Sequence, residues 1–311
     1  MLDLSRPLRP LPATSLRPWA GSRLGQGVGE VWVAGPSSSV ELRDGRVRTL
    51  DGLAAEAGAS LVGTAGMAML GPRFPLLAKL IDAAEWLSLQ VHPDDELARD
   101  LYGPQAVGKD EAWVVLEAAA GTRMVVGPAR TLSAAEAMAL VAGGAVGLES
   151  CEVRPVRPGD TLDVRAGTIH AIGPGAFVYE LEQPSDLTFR ISDWGRPPTP
   201  ERRLHLAEAA RAVEPSLRAE LAGTGWRLDG GALNGRRIRL ELVASGTAAL
   251  RRPAGRSPEV VTAVAGPVTL AGAGFREQLA PLETAVLPAA VDACEIVAGD
   301  GAVALVGSLP R

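Results

Sequence analysis

Glycine and proline, 36 and 24 of the 311 residues, punctuate the chain so often that few stretches can run as long helices. Glycine does this through its backbone freedom, proline through its fixed φ and missing N–H. A chain cut this finely folds as many short strands joined by turns. Turn signals at Pro158–Gly159–Asp160, Ala166–Gly167, Gly173–Pro174–Gly175 and Gly272–Ala273–Gly274 separate apolar runs of strand length. The expected fold is mainly β with a few helices, and 311 residues suffice for one large domain or two modest ones.

Phe74–Ile81 and Trp86–Val91 read as buried strands, followed by Trp113–Glu117 and Arg123–Val126. Asp94, Asp95 and Glu96 open a short helix, with their charge at its positive end. Ser133 and Glu136 form a capping-box pattern at the head of a helix over Leu132–Val146, and Leu204–Val213 is amphipathic. Residues 1–60 read as an irregular start broken by Gly, Pro and Ser. The expected organisation is a larger domain over 1–225, a glycine-rich linker at 226–235 and a smaller β-barrel or sandwich over 236–311. Residues 236–311 contain neither histidine nor lysine, so chemistry is expected in the first domain.

The formal net charge is −5 and the basic residues are scattered, which argues against a nucleic-acid partner. No window nears the ~20 apolar residues of a spanning helix, and the start MLDLSRPLRPLP has no secretory apolar core. Cys151 and Cys294 lie far apart without a CxxC context, so reduced thiols and a cytoplasmic protein, monomeric or weakly oligomeric, are expected. Of 31 basic residues only Lys79 and Lys109 are lysine. Coding bias explains arginine on a surface but not the two survivors, because arginine replaces poorly a compact ammonium or a shiftable pKa. Both lysines are therefore suspects. A metal site has only His92, His170 and His205 to draw on.

Gln90 and His92 share one strand face, which alone describes an innocent polar edge as well as a site. His170 closes the stretch GDTLDVRAGTIH, whose spacing from Gly159 is that of the second cupin motif, Gly-x5-Pro-x-Gly-x2-His, with Arg165 at the proline position. Glycine turns deliver the histidine onto a strand aimed into a barrel. Glu111 follows Lys109 in GKDEAW and on its own reads as a surface acid beside that lysine. Two imidazoles, a carboxylate and an amide oxygen would suit a borderline divalent ion such as Zn²⁺.

FPLLAKLIDAAEWLSLQVHPDDELAR at Phe74–Arg99 closely resembles type I mannose-6-phosphate isomerases. So do GKDEAW at Gly108–Trp113, AGTIHAIG at Ala166–Gly173, ELEQPSDLTFRISDWGR at Glu180–Arg196 and GEVW at Gly29–Trp32. These stretches keep the family's order over roughly the first two-thirds of the chain. The resemblance implies a cupin jelly-roll with a smaller, degenerate cupin-like C-terminal domain. It implies zinc on Gln90, His92, Glu111 and His170, a working Arg190, and Lys109 and Glu180 in the same pocket. Lys79 and Ser88 match positions associated with the substrate's phosphate. The implied activity is the interconversion of mannose 6-phosphate and fructose 6-phosphate through an enediol-type intermediate. Glu180 is favoured as proton carrier, with Lys109 tuning charge or handling a hydroxyl proton. Glu182 and Gln183 fit core-facing polar residues or partners of the site equally, and His205 reads as structural. Rivals are an isomerase or epimerase of another sugar or sugar phosphate, a sugar-phosphate-sensing cupin, and a cupin oxygenase.

Overall fold

A computed structural model describes residues 2–144, 146–222, 232–244, 246, 248–251 and 255–310. The chain divides into two compact units by its internal contacts. One comprises residues 15–30 and 80–225, the other 1–14, 31–79 and 226–311. This differs from the sequence expectation of a break between 225 and 236, because 1–14 and 31–79 group with the C-terminal strands. The contacts give the reason. Leu8 bridges Val286, Ala289 donates to the Leu61 carbonyl at 3.0 Å, and Thr64 donates to that of Gly255 at 2.7 Å. At Gly63, φ is +74° and an added Cβ would lie 2.2 Å from the Arg256 carbonyl carbon, so only glycine permits the approach. Most of the expected linker, 226–231, lies outside the described residues.

In the unit of residues 80–225, Ala176–Glu182, Glu111–Ala118, Thr161–Val164 and Glu220–Ala222 run side by side as antiparallel neighbours in one sheet layer. A second layer contains Ala171–Ile172, Arg123–Pro128 and Cys151–Pro155, and the pair Leu89–Val91 with Phe189–Ser192. Ile81, Trp113, Val115, Leu162, Val164 and Val178 from the first layer meet Met124, Val126 and Ile172 from the second in one buried cluster. The core therefore lies between two sheets, as in a jelly roll.

Helices sit where caps specify them. Asp94 accepts from the Leu97 N–H at the head of Asp95–Tyr102, and Ser133 and Glu136 complete a reciprocal capping box on Ala134–Ala142. Residues 50–57 correct the reading of an irregular start, since Leu50–Ala57 is helical and is followed by a second helix, Ala59–Leu70. Glycines 52, 58, 63 and 66 hide the helical period, and burial of Leu50, Leu53, Leu61 and Val62 overrides weak local propensity. No single helix among the described residues is long and apolar enough to cross a membrane; this pair, bent by 91°, passes only by length and composition.

In the other unit, a five-stranded sheet (Ala232–Asn234, Arg239–Val243, Val303–Ser308, Glu259–Ala265, Thr284–Leu287) accompanies a four-stranded one (Ala248–Arg251, Cys294–Ala298, Val268–Gly272, Phe275–Leu279). Their inner faces share one core, including Val261, Leu270, Ile296 and Val306. Arg251 grips Glu259 with two bonds of 3.0 and 2.8 Å and also reaches Glu241. Arg251 and Glu259 are 8% and 7% exposed, so truncating one partner leaves a charge stranded in low dielectric. Arg251→Ala is expected to lose about 3–5 kcal/mol of stability, read as a lower urea midpoint at unchanged m-value.

Both cysteines are buried and free. Burial, with Glu149 nearby, pushes the Cys151 thiol up to about 12, and burial lifts Cys294 to about 11. Native protein at pH 8.5 should therefore resist alkylation that proceeds readily in denaturant. Because the folded pKa of Cys151 is raised, its contribution to stability is intact below about pH 9 and declines as pH climbs toward about 12. Stability of Cys151→Ala should fall less steeply over that window, measured by denaturant titration at stepped pH.

Candidate metal centre

The strand Leu89–Val91 has neighbours on both sides. Arg190 stands opposite Gln90 in one pairing. On the other side Gln90 and His170 exchange backbone hydrogen bonds of 3.1 and 3.0 Å. Residues directly opposite in an antiparallel pair project to one face, so Arg190, Gln90 and His170 form a row, and His92 joins it two residues along. Leu89, Val91, Phe189 and Ile191 turn the other way into an apolar cluster. That burial fixes the register, because a one-residue slip would exchange the two faces.

The facing sheet contributes acids. Glu111 begins its strand and lies opposite Glu182, while Trp113 lies opposite Glu180. All four side chains share the face that carries Leu162 and Val164 into the core. The loop before Glu111 is tightly held. Asp95 Oδ1 accepts from the Gly108 N–H at 2.9 Å and from Gln183 Nε2 at 3.1 Å. Gln183 Oε1 in turn accepts from the Asp110 N–H at 3.0 Å, and Asp110 Oδ1 from the Ala166 N–H at 2.8 Å. Ser185 Oγ donates to the Val107 carbonyl at 2.7 Å. A Cβ on Gly108 would sit 2.5 Å from the Asp94 carbonyl carbon, so the loop passes there only as glycine. Lys109 and Glu111 are thereby delivered inward on a rigid support.

The two rows meet. His92 Nε2 lies 3.0 Å from Glu111 Oε1 and His170 Nε2 lies 3.6 Å from Glu111 Oε2, all three side chains being 1% exposed. Ligand atoms of the three lie within 4.8 Å of one another. Gln90 Nε2 is 3.2 Å from His170 Nε2, and Gln90 Oε1 accepts from Ser88 Oγ at 2.9 Å. Each imidazole has its Nδ1 against a backbone carbonyl, His92 against Leu187 at 2.8 Å and His170 against Thr168 at 2.9 Å. A carbonyl can only accept, so both rings carry hydrogen on Nδ1 and direct Nε2 toward Glu111. Burial, offset only in part by Glu111, drops His170 to about 3, so its ring is neutral near neutral pH. Burial by itself would raise Glu111, but Lys109 and then His92 outweigh it and hold the carboxyl well below the usual range.

Among the described residues His92 Nε2 and both Glu111 oxygens lack a hydrogen bond of good geometry, although the Lys109 ammonium lies 2.6 Å from Glu111 Oε1. Buried polar atoms so placed are costly, and three that converge form a site suited to a cation. The donor set therefore fits a divalent metal. Trp113 meets His170 edge-on with ring centroids 5.4 Å apart, supplying an apolar wall.

The remaining expected residues fall as follows. Lys109 is 3% exposed with its Nζ 2.6 Å from Glu111 Oε1, 2.9 Å from Glu182 Oε2 and 3.7 Å from Glu180 Oε1. Arg190 is buried, and its Nη1 donates to the Arg203 carbonyl at 3.0 Å. His205 Nδ1 accepts from the Arg190 N–H at 3.2 Å, pinning the strand that carries the arginine. Lys79 groups with the unit containing residues 31–79, its ammonium 4.9 Å from the centroid of Trp32. Arg165, in the motif's proline position, turns to Asp163 and Glu220 at 3.6 and 3.3 Å, and Gly167 still makes its turn at φ +89°. Sequence reasoning leaves Glu182 and Gln183 unassigned. The alternation Glu180-Leu181-Glu182 on a strand carried the missing signal, since it puts both carboxylates on one face.

Residues 21–110 match the family described as phosphomannose isomerase type I, catalytic domain. Over that segment the chain is similar to the catalytic domain of type I phosphomannose isomerases. Mannose-6-phosphate isomerase from Streptococcus mutans serotype c is 38% identical over 138 residues, 44% of this chain and 42% of that protein. Mannose-6-phosphate isomerase ManA from Bacillus subtilis is 36% identical over 150 residues, 47% of each. The match spans a little under half the length of these curated relatives. In three dimensions the likeness runs nearly end to end. The crystal structure of the Bacillus subtilis mannose 6-phosphate isomerase superposes with TM-score 0.76 at 24% identity, covering 97% of this chain and 99% of that one. A variant of phosphomannose isomerase from Salmonella typhimurium gives TM-score 0.73 at 16% identity, covering 96% and 98%. The fold is the mainly β, cupin-type architecture of those enzymes.

Proposed function

We propose that the protein is an aldose–ketose isomerase that interconverts mannose 6-phosphate and fructose 6-phosphate with one zinc ion per chain, in the cytoplasm. The observation that carries this reading is the convergence of His92 Nε2, His170 Nε2 and the Glu111 carboxylate, with both imidazole tautomers set by backbone carbonyls. It is supported by relatives named mannose-6-phosphate isomerase. Gln90, His92, Glu111 and His170 would hold the ion. Rotating the Gln90 amide by half a turn offers its oxygen inward, since the Ser88 hydroxyl can accept as well as donate. When bound, zinc supplies Lewis acidity for the substrate's carbonyl and hydroxyl oxygens.

The chain's own groups supply the rest. Glu180, 4% exposed, is the proposed carrier of the proton between the two adjacent carbons. Lys109, held by carboxylates, stays an ammonium; burial opposes its charge, but Glu111, Glu182 and Glu180 together raise its pKa well above the ordinary value. It balances charge and can donate a hydrogen bond to a substrate oxygen. Arg190 adds fixed positive charge in the row of Gln90 and His170, where an enediolate develops. Ser88 and Lys79 are assigned the phosphate on the strength of the sequence resemblance alone, an orienting contact remote from the reacting carbons.

A coupled assay for fructose 6-phosphate formed from mannose 6-phosphate tests the reading. Turnover is expected with metal-loaded protein, should vanish after chelation and should return with zinc. Folded, zinc-loaded protein without turnover would remove it.

A further inference from the structure

Beside the imidazole cluster lies a second concentration of buried charge. Glu111, Glu180 and Glu182 offer oxygens within 4.8 Å of one another, and their exposures are 0%, 4% and 0%. Such a triad resembles a second metal site, but a cation of the protein's own already stands among the three oxygens. Lys109 Nζ is 2.6 Å from Glu111, 2.9 Å from Glu182 and 3.7 Å from Glu180. Glu111 and Glu182 oppose each other directly across the strands, a like-charge arrangement that is unfavourable unless a cation bridges it.

We propose that Glu182 is a positioning residue, the carboxylate that keeps the Lys109 ammonium in place when Glu111 is engaged by a divalent ion. Glu111 faces both His92 and His170, whereas Glu182 stands on the next strand with its oxygen turned to Lys109. A divalent ion at the imidazoles draws on Glu111 and repels an ammonium 2.6 Å from the same carboxylate. Glu182, the next nearest anion at 2.9 Å, lies outside the group formed by His92, Glu111 and His170. The local charge agrees: three carboxylates exceed the single ammonium by two, which a divalent ion offsets while Glu182 retains its lysine. The catalytic part of this inference rests on the isomerase reading, but the clamp itself does not.

The composition makes the test direct. Lys79 and Lys109 are the only lysines, so protein grown with ¹⁵N-lysine gives two ammonium resonances. Glu182→Gln keeps the shape and removes the charge. In zinc-loaded protein it is expected to shift or broaden the Lys109 signal and leave that of Lys79 unchanged. Zinc content should stay at the wild-type level. The kcat for mannose 6-phosphate should fall about 10- to 100-fold, with KM within about threefold. Glu182→Asp should recover part of both readouts, and it serves in place of the glutamine variant if that fails to fold. In a Lys109→Met background Glu182→Gln should cost nothing further, whereas a merely structural role would add its full loss. An unmoved Lys109 resonance, or equal losses in the two backgrounds, overturns the proposal. If the Lys109 signal moves but wild-type protein does not isomerise mannose 6-phosphate, the clamp stands and the isomerase reading alone falls.

Discussion

His170→Ala should leave the purified protein with far less than one zinc per chain and lower its turnover of mannose 6-phosphate by about a thousandfold. The magnitude follows from the several kcal/mol a metal contributes as Lewis acid, at roughly 1.4 kcal/mol for each tenfold in rate. The cause is local. Thr168 fixes the tautomer of His170, so its Nε2 lone pair, now 3.2 Å from the Gln90 amide nitrogen, is available to a cation once that amide turns. The backbone bridge to Gln90 needs no side chain, so the strand pairing should survive and circular dichroism should be unchanged. His92→Ala should behave alike, since Leu187 orients that ring in the same manner. Stoichiometric zinc with normal turnover in either variant would refute the proposed centre.

Glu180→Gln should separate proton transfer from metal binding. Glu180 lies opposite Trp113, 3.7 Å from the Lys109 ammonium, and outside the cluster of His92, Glu111 and His170. Zinc should therefore be retained. Turnover is expected to fall by about 10²- to 10⁴-fold, the usual worth of a positioned acid–base group. Exchange of the substrate's carbon-bound proton with deuterated solvent, followed by NMR, should fall in parallel. Unchanged exchange in this variant would transfer the role to another group.

Much of this was readable before any coordinates. Gln90 and His92 lie two apart on a strand, His170 sits at the end of a spaced turn motif, and the rarity of lysine singled out Lys109; the fold brings these together with Glu111. Helix starts at Asp94 and Ser133 were legible because caps are local chemistry. What escaped depended on distant partners. The Leu50–Leu70 helices are stabilised by burial and not by propensity, and their glycines point the other way. Glu182 gains meaning only from the register that sets it opposite Glu111. The grouping of 31–79 with the last 86 residues has no signature in composition, since it arises from pairings such as Leu8 with Val286.

That interleaving has a consequence for the growing chain. Residues 15–30 and 80–225 can gather their partners once residue 225 has left the ribosome, whereas residues 31–79 must wait for 226–311. Until then Leu50, Leu53, Leu61 and Val62, fully buried in the finished protein, lack part of the surface that covers them. A nascent intermediate with a formed jelly roll and an uncovered apolar helix pair is a natural client for a chaperone. The loop to be closed between Leu8 and Val286 is very long, so the slow step of maturation should lie in that pairing and not in gathering residues 80–225.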